Sequence, residues 1–176
     1  MVQDVVRTLG YATLGSRLKR IGERLQAQTQ DLTSELLGTD LPTPHNPVLA
    51  ALSIHGPLSI GDLARTLGQS QPGVTRMINK MKSDGLVEAR QDDGDRRVST
   101  IALTREGARM VETLQATLWP AVARSVEDAC SDLNGSLLRQ LAQLEDALAA
   151  APLKSRRPTL PVRSWPELIQ SGDLEK

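Results

Sequence analysis

Aromatic residues are almost missing from this chain, which has no Phe, one Tyr and two Trp among its 176 residues. Its core must therefore be built from Leu, Val, Ile, Ala and Met, a palette that favours packed helices over sheets. A single cysteine, Cys130, excludes an internal disulfide and a multi-cysteine metal site and fits a reducing compartment. No apolar run approaches the roughly 18 residues of a membrane span, and the opening MVQDVVRTLGY lacks the basic-then-apolar layout of a secretory signal. The expectation is a soluble, cytoplasmic protein with no membrane partner. Net charge is missing too: 21 basic residues balance 21 acidic ones, so any attraction for nucleic acid must be local. The length suits one domain, or one compact domain with a long helical extension.

Signs of catalysis are equally scarce. There is no G-x-G-x-x-G, no P-loop and no nucleophile elbow. Arg7-Thr8-Leu9-Gly10-Tyr11-Ala12 matches an acyl-CoA-binding pattern, but such a loop needs a preceding strand, and only six residues stand before Arg7. His45 and His55, ten residues apart and expected on different elements, make no metal set or triad and read as structural histidines. No catalytic, metal or cofactor site is expected, and the chain does not read as an enzyme.

What is present is helical punctuation. From about residue 5 to Leu37, apolar residues recur at Leu14, Leu18, Ile21, Leu25, Leu32 and Leu36, the heptad-like seam of one long helix. Such a seam packs either on its own core or against a partner chain. Gly38 and the prolines 42, 44 and 47 end it. A short helix follows from about Asn46 to His55, stopped by Gly56 and Pro57. Ser59 with Asp62 then resembles a capping box for another short helix carrying Ile60, Leu63, Ala64 and Leu67 and ending at Gly68.

The next stretch, SQPGVTRMINKMKSDG, spans Ser70 to Gly85. At 100° per residue Val74, Met77, Ile78 and Met81 share one arc, while Arg76, Asn79 and Lys80 point away. Ser70 is placed to cap the helix, Pro72 to sit in its first turn, and Gly85 to end it. Two short helices joined by a Gly-containing turn make a helix-turn-helix. After Gly85 the pattern changes to LVEAR and VSTIAL around Asp93-Gly94, a two-stranded hairpin with Arg96 and Arg97 at its tip. A helix-turn-helix followed by such a hairpin is a winged helix.

Thr104 is expected to cap a second long helix with Val111, Leu114, Leu118, Val122 and Val126 on one stripe and a kink at Pro120. A last helix, from about Asp132 to Ala150, aligns Leu133, Leu137, Leu141, Leu144 and Leu148. The leucine stripes at both ends need an apolar partner, and the simplest is a second copy of the chain. Residues 151–176 form a Pro- and Arg-rich tail in which Ser164, Pro166 and Glu167 can start one helical turn, with Trp165 and Leu168 as anchors.

The segment SIGDLARTLGQSQPGVTRMINKMKSDGLVEARQDDGDRRVSTIALTREG resembles the winged-helix core of the multiple antibiotic resistance regulator (MarR) family. The likeness extends over about residues 5 to 150. It rests on DLA in the first short helix, Gly-Leu-Val after the second, Asp95-Arg96-Arg97 at the wing, and Leu103-Thr104 with Gly107 opening the next helix. LGSRLKRIGERLQ and LWPAV resemble a subset often fused to an acetyltransferase domain, so a regulatory remnant of such a fusion is one alternative.

The resemblance implies a mainly α fold with one MarR-like domain over 1–150. Residues 5–37 and 104–150 would be dimerisation helices, 45–103 the winged helix-turn-helix, and the β-hairpin the wing. It also implies a homodimeric, ligand-responsive regulator of transcription, a repressor on double-stranded DNA, reading a short inverted repeat. Gln71, Thr75, Arg76 and Asn79 become the candidates for base edges, and Ser70 and Lys80 for phosphates. Arg97 is the minor-groove candidate, Arg96 either a phosphate contact or merely solvated, and Asp95 the residue that orients the wing. From Gln69 to Arg97 six basic residues face five acidic ones, so the acids must be turned from DNA. Members of the family often bind small aromatic or anionic effectors, for which an aromatic-poor chain offers little stacking. Cys130 reads as a small hydrophobe rather than a redox switch. The competing reading is a winged helix used for protein contacts alone.

Overall fold

The computed structural model describes residues 4–91 and 99–156. The expected wing tip with Asp95, Arg96 and Arg97, and the turn proposed around Ser164 to Leu168, lie outside the described residues.

The expectation of one helix from residue 5 to Leu37 is corrected at its start. A single turn, α1 (Val5–Thr8), is capped by Asp4 and followed by a 3₁₀ turn over Gly10–Thr13, and only then does α2 (Leu14–Leu37) begin. Gly10 causes the break by taking φ +51°, a left-handed conformation that a continuing helix excludes. Thr13 holds the junction by donating to the Val6 carbonyl at 2.7 Å. Asp4 accepts from the Arg20 guanidinium at 3.0 Å, which with the Arg7 amide holds its carboxyl below the usual carboxylate range.

Helix α3 (His45–His55) starts one residue earlier than expected, so both histidines stand on it, at its two ends, and not on different elements. The loop before α3 is anchored to α2. Gln30 Oε1 accepts from the Thr43 amide at 3.0 Å and from its hydroxyl at 3.2 Å, and Asn46 Nδ2 donates to the Thr43 carbonyl.

The sheet has one strand more than the hairpin predicted from sequence. β1 (Leu58–Ser59), too short to show a period, adds to the hairpin of β2 (Val87–Gln91) and β3 (Ser99–Leu103) in the antiparallel order β1-β3-β2. The register pairs Leu58 with Ile101 and Val87 with Leu103. A third strand gives the hairpin a partner, which a hairpin alone in water would lack.

Between β1 and β2 lie α4 (Ile60–Leu67) and α5 (Gln71–Ser83); after β3 comes α6 (Arg105–Thr113). The disturbance expected at Pro120 takes the form of a π-helical turn over Leu114–Leu118, just before α7 (Trp119–Ala129). The Trp119 amide donates to the Leu114 carbonyl, five residues back, so the ladder is already out of α register where Pro120 lacks its donor. Trp119 Nε1 donates to Asn46 Oδ1 at 3.2 Å, tying this region to α3.

The last helix is also shorter than expected. α8 (Leu137–Ala150) begins at a Ser136 cap, because Gly135 takes φ +77° and interrupts any helix from Asp132. Leu133 therefore lies in the connection, half exposed. After α8, Arg156 donates to the Ala147 and Ala151 carbonyls, closing the helix end.

The described residues form two compact units: Leu25–Ser125, and the terminal segments up to Arg24 and from Val126. The core lies in the first, where Leu49, Leu63, Val74, Ile78, Met81, Ile101, Leu114 and Leu118 are at most 1% exposed. It is aliphatic apart from half-buried Trp119 at its edge, as the composition requires. At α6, close packing is specified by one residue. A Cβ built on Gly107 would lie 1.9 Å from the Leu86 carbonyl oxygen, a backbone atom that cannot swing aside.

Gly107→Ala is therefore expected to destabilise the fold by about 1–3 kcal/mol or more through overpacking, read as a lowered urea midpoint. A second prediction concerns His45, which is 4% exposed with no hydrogen-bond partner for Nδ1 among the described residues. Burial lowers its pKa, with Asp84 opposing and Lys80 reinforcing the shift. Below about pH 6.5 the unfolded chain binds a proton that the folded chain resists, so this group withdraws stability as pH falls. Urea midpoints at pH 7.5 and 5.5 should fall further apart in the parent protein than in His45→Asn.

Candidate nucleic-acid interface

The helix-turn-helix is assembled by local caps. Ser59 Oγ accepts from the Asp62 amide at 3.1 Å and its hydroxyl donates to the Asp62 carboxylate at 2.5 Å, so the box closes side chain to side chain. That bond, helped by Arg65, holds the Asp62 carboxyl below the usual carboxylate range. α4 ends at Gly68, φ +62°, where the Gly68 and Gln69 amides return to the Arg65 and Ala64 carbonyls. Ser70 follows at once and caps α5, its Oγ accepting from the Gly73 amide at 3.4 Å. One residue, Gln69, separates the stop of one helix from the cap of the next.

α5 divides as its periodicity requires. Val74, Ile78 and Met81 are fully buried, Met77 and Thr75 half-buried, and Gln71, Arg76, Asn79 and Lys80 exposed. Ser70, Gln71, Thr75, Arg76 and Asn79 are thus brought to the outward part of one helix. Their side chains differ in commitment. The Thr75 hydroxyl donates to the Gln71 carbonyl at 2.8 Å. The Gln71 amide lies over α4, since a Cβ on Gly61 would be 3.3 Å from Gln71 Nε2. Arg76 and Asn79 make no side-chain hydrogen bond or ion pair among the described residues.

Lys80 stands toward the edge of this face. Its Nζ is 2.6 Å from Asp84 Oδ1, and the pair lines a cleft of about 370 Å³ whose other walls include Asp40, Leu41, Leu86 and Met110. Of the five acids the sequence required to face away, the two among the described residues are tied to nearby bases: Asp84 to Lys80, and Glu88 to Arg90 at 2.8 Å on β2. Each exposed pair contributes little to stability, and in each the charge of the acid is offset by that of its base.

The far end of α5 is held by residues read from sequence only as caps. The Leu86 amide returns to the Met81 carbonyl at 2.9 Å, past Gly85 at φ +73°. Thr104 caps α6 by accepting from the Gly107 amide at 3.0 Å. It also donates its hydroxyl to the Gly85 carbonyl at 2.6 Å and its amide to the Leu86 carbonyl at 3.1 Å. The Thr-x-x-Gly spacing announced the cap. Nothing local announced its second partner, 19 residues back.

Comparison with known proteins agrees with this geometry. A model described as the MarR family matches residues 39–98. An HTH-type transcriptional regulator of Bacillus cereus is 30% identical over 101 residues, 57% of this chain and 67% of that protein. The transcriptional activatory protein BadR of Rhodopseudomonas palustris is 38% identical over 77 residues, and the match spans 42% of this chain but only 44% of BadR. Among solved structures, a mutant MarR from E. coli complexed with operator DNA has a TM-score of 0.61 at 19% identity, covering 79% of this chain and 93% of that one, a likeness of fold. A helix-turn-helix capped at Ser59 and Ser70, an antiparallel sheet beside it, and the matches to the family model and to the Bacillus cereus regulator lead to one assignment: the chain belongs to the MarR family of DNA-binding transcriptional regulators.

Proposed function

We propose that the protein regulates transcription as a homodimer, laying α5 of each protomer into the major groove of a short inverted repeat. In helix-turn-helix dimers half-site centres lie about one helical turn, roughly 10 bp, apart. The observation that carries this reading is the uncommitted polar face of α5, where Arg76 and Asn79 stand exposed directly opposite Val74, Ile78 and Met81. Arg pairs bidentately with guanine, and Asn or Gln with adenine, so Gln71, Arg76 and Asn79 are assigned to base edges together with Thr75. Ser70 and Lys80 are assigned to phosphates. The pair with Asp84 does not remove Lys80, because a surface ion pair, worth about 1 kcal/mol or less, yields to a phosphate. Arg97, with Arg96 and Asp95 beside it, is assigned to the wing contact in the minor groove.

Support for a dimer comes from apolar side chains that the single chain leaves in water: Leu18, Ile21 and Leu25 on α2, and Leu137, Leu138 and Leu148 on α8 are each more than a third exposed. An effector that entered the cleft beside Lys80 and Asp84 would touch the end of α5 directly, which is the simplest route from ligand to operator affinity.

Titration of fluorescent duplexes selected from a random pool tests the reading. Affinity should fall steeply with salt. Arg76→Ala should cost about 1–3 kcal/mol and relax preference at one position, whereas Lys80→Ala should weaken all sequences alike. Binding that is indifferent to salt and to both substitutions would favour a winged helix used for protein contacts.

A further inference from the structure

The base-edge candidates on α5 are not chemically equivalent. Arg76 and Asn79 keep every side-chain donor free among the described residues, whereas the Thr75 hydroxyl has already given its proton to the Gln71 carbonyl at 2.8 Å. The same bond to the carbonyl four residues back is made by Thr33, Thr113 and Thr117, at 2.8 to 3.1 Å. It is what a helical threonine does with its proton, and a stiff χ1 holds it there. With its hydroxyl proton committed to its own helix, the group that Thr75 has left to offer a partner is its γ-methyl. Its half-buried position, at the margin between the apolar and polar arcs of α5, suits an apolar contact better than a second hydrogen bond.

We propose that Thr75 is a specificity-determining residue that reads thymine, packing its γ-methyl against the C5-methyl that thymine alone among the four bases presents in the major groove. This rests on the DNA-binding reading above and deepens it. Arg76 and Asn79 supply donors for purine acceptors, and Thr75 supplies the apolar surface that neither can. Each half-site should then contain one thymine whose methyl matters.

The test replaces the thymines of the selected duplex one at a time by uracil, which lacks only that methyl. For the parent protein one substitution in each half-site should cost roughly fourfold in affinity, the worth of one buried methyl. Thr75→Val, which keeps the methyl and loses the hydroxyl, should bind as tightly and retain that sensitivity. Thr75→Ser, which keeps the hydroxyl and loses the methyl, should bind the thymine and uracil duplexes equally. The proposal is overturned if Thr75→Val loses as much affinity as Thr75→Ser, or if the uracil profile of Thr75→Ser matches that of the parent. Should the parent protein select no sequence at all, the DNA reading fails with it. Selection that depends on Arg76 with no uracil effect linked to Thr75 defeats this inference alone. Thermal melts of both variants confirm that each remains folded.

Discussion

Helix α5 ends in an exposed turn, Ser83 to Gly85, and the chain that leaves it is tied to the start of the next helix. Gly85 lets the chain turn back, and Thr104 then closes on the two carbonyls that follow, with its hydroxyl on Gly85 and its amide on Leu86. The same hydroxyl oxygen caps α6 through the Gly107 amide. One residue therefore joins the end of the exposed helix, the entry to β2 and the start of α6. The arrangement works only at close range, which explains why the position facing the Leu86 carbonyl is glycine. Once these three elements are locked together, β2 and β3 fall into register and Leu114 and Leu118, beyond α6, join the same core as Val74, Ile78 and Met81.

The proposed function depends on that lock, because reading a groove requires a rigid helix with an uncommitted face. The inward arc of α5 is held by Val74, Ile78 and Met81, and its start by Ser70, with only Gln69 between it and the stop of α4. Burial at one arc and caps at both ends leave Arg76 and Asn79 free of structural duty. The chain carries no net charge, so its affinity for a polyanion has to arise from arrangement. Pairing Asp84 with Lys80 and Glu88 with Arg90 lowers the local repulsion that these acids would otherwise exert.

The buried polar groups mark where this design is most tightly balanced. Thr33 is fully buried and satisfied by the Thr29 carbonyl. His45 is buried with one ring nitrogen unpartnered, near the Lys80 and Asp84 charges at the end of α5. An imidazole whose pKa is lowered by burial beside the end of α5 couples the stability of that region to proton concentration.

Much of the site was legible in the sequence because helix caps and stops are local. Ser59, Ser70 and Thr104 cap their helices where their spacing placed them, and Gly68 and Gly85 adopt the left-handed conformations that end α4 and α5. The division of α5 into buried and exposed arcs follows from 3.6-residue periodicity alone. Gly10 and Gly135 were as visible as Gly68, yet the apolar periodicity running past them suggested continuous helix; whether a glycine interrupts a helix or rides within it depends on what its neighbours pack against. β1 is two residues long and exists only because β3 presents an edge to it, and the π turn before Pro120 shows in no residue pattern. Residue types and their spacing thus determined which helix would be offered and which side chains it would carry. Tertiary structure alone decided that Thr104 reaches Gly85, that β1 finds the edge of β3, and that Gly107 meets the Leu86 carbonyl, because each depends on distances between atoms far apart along the chain.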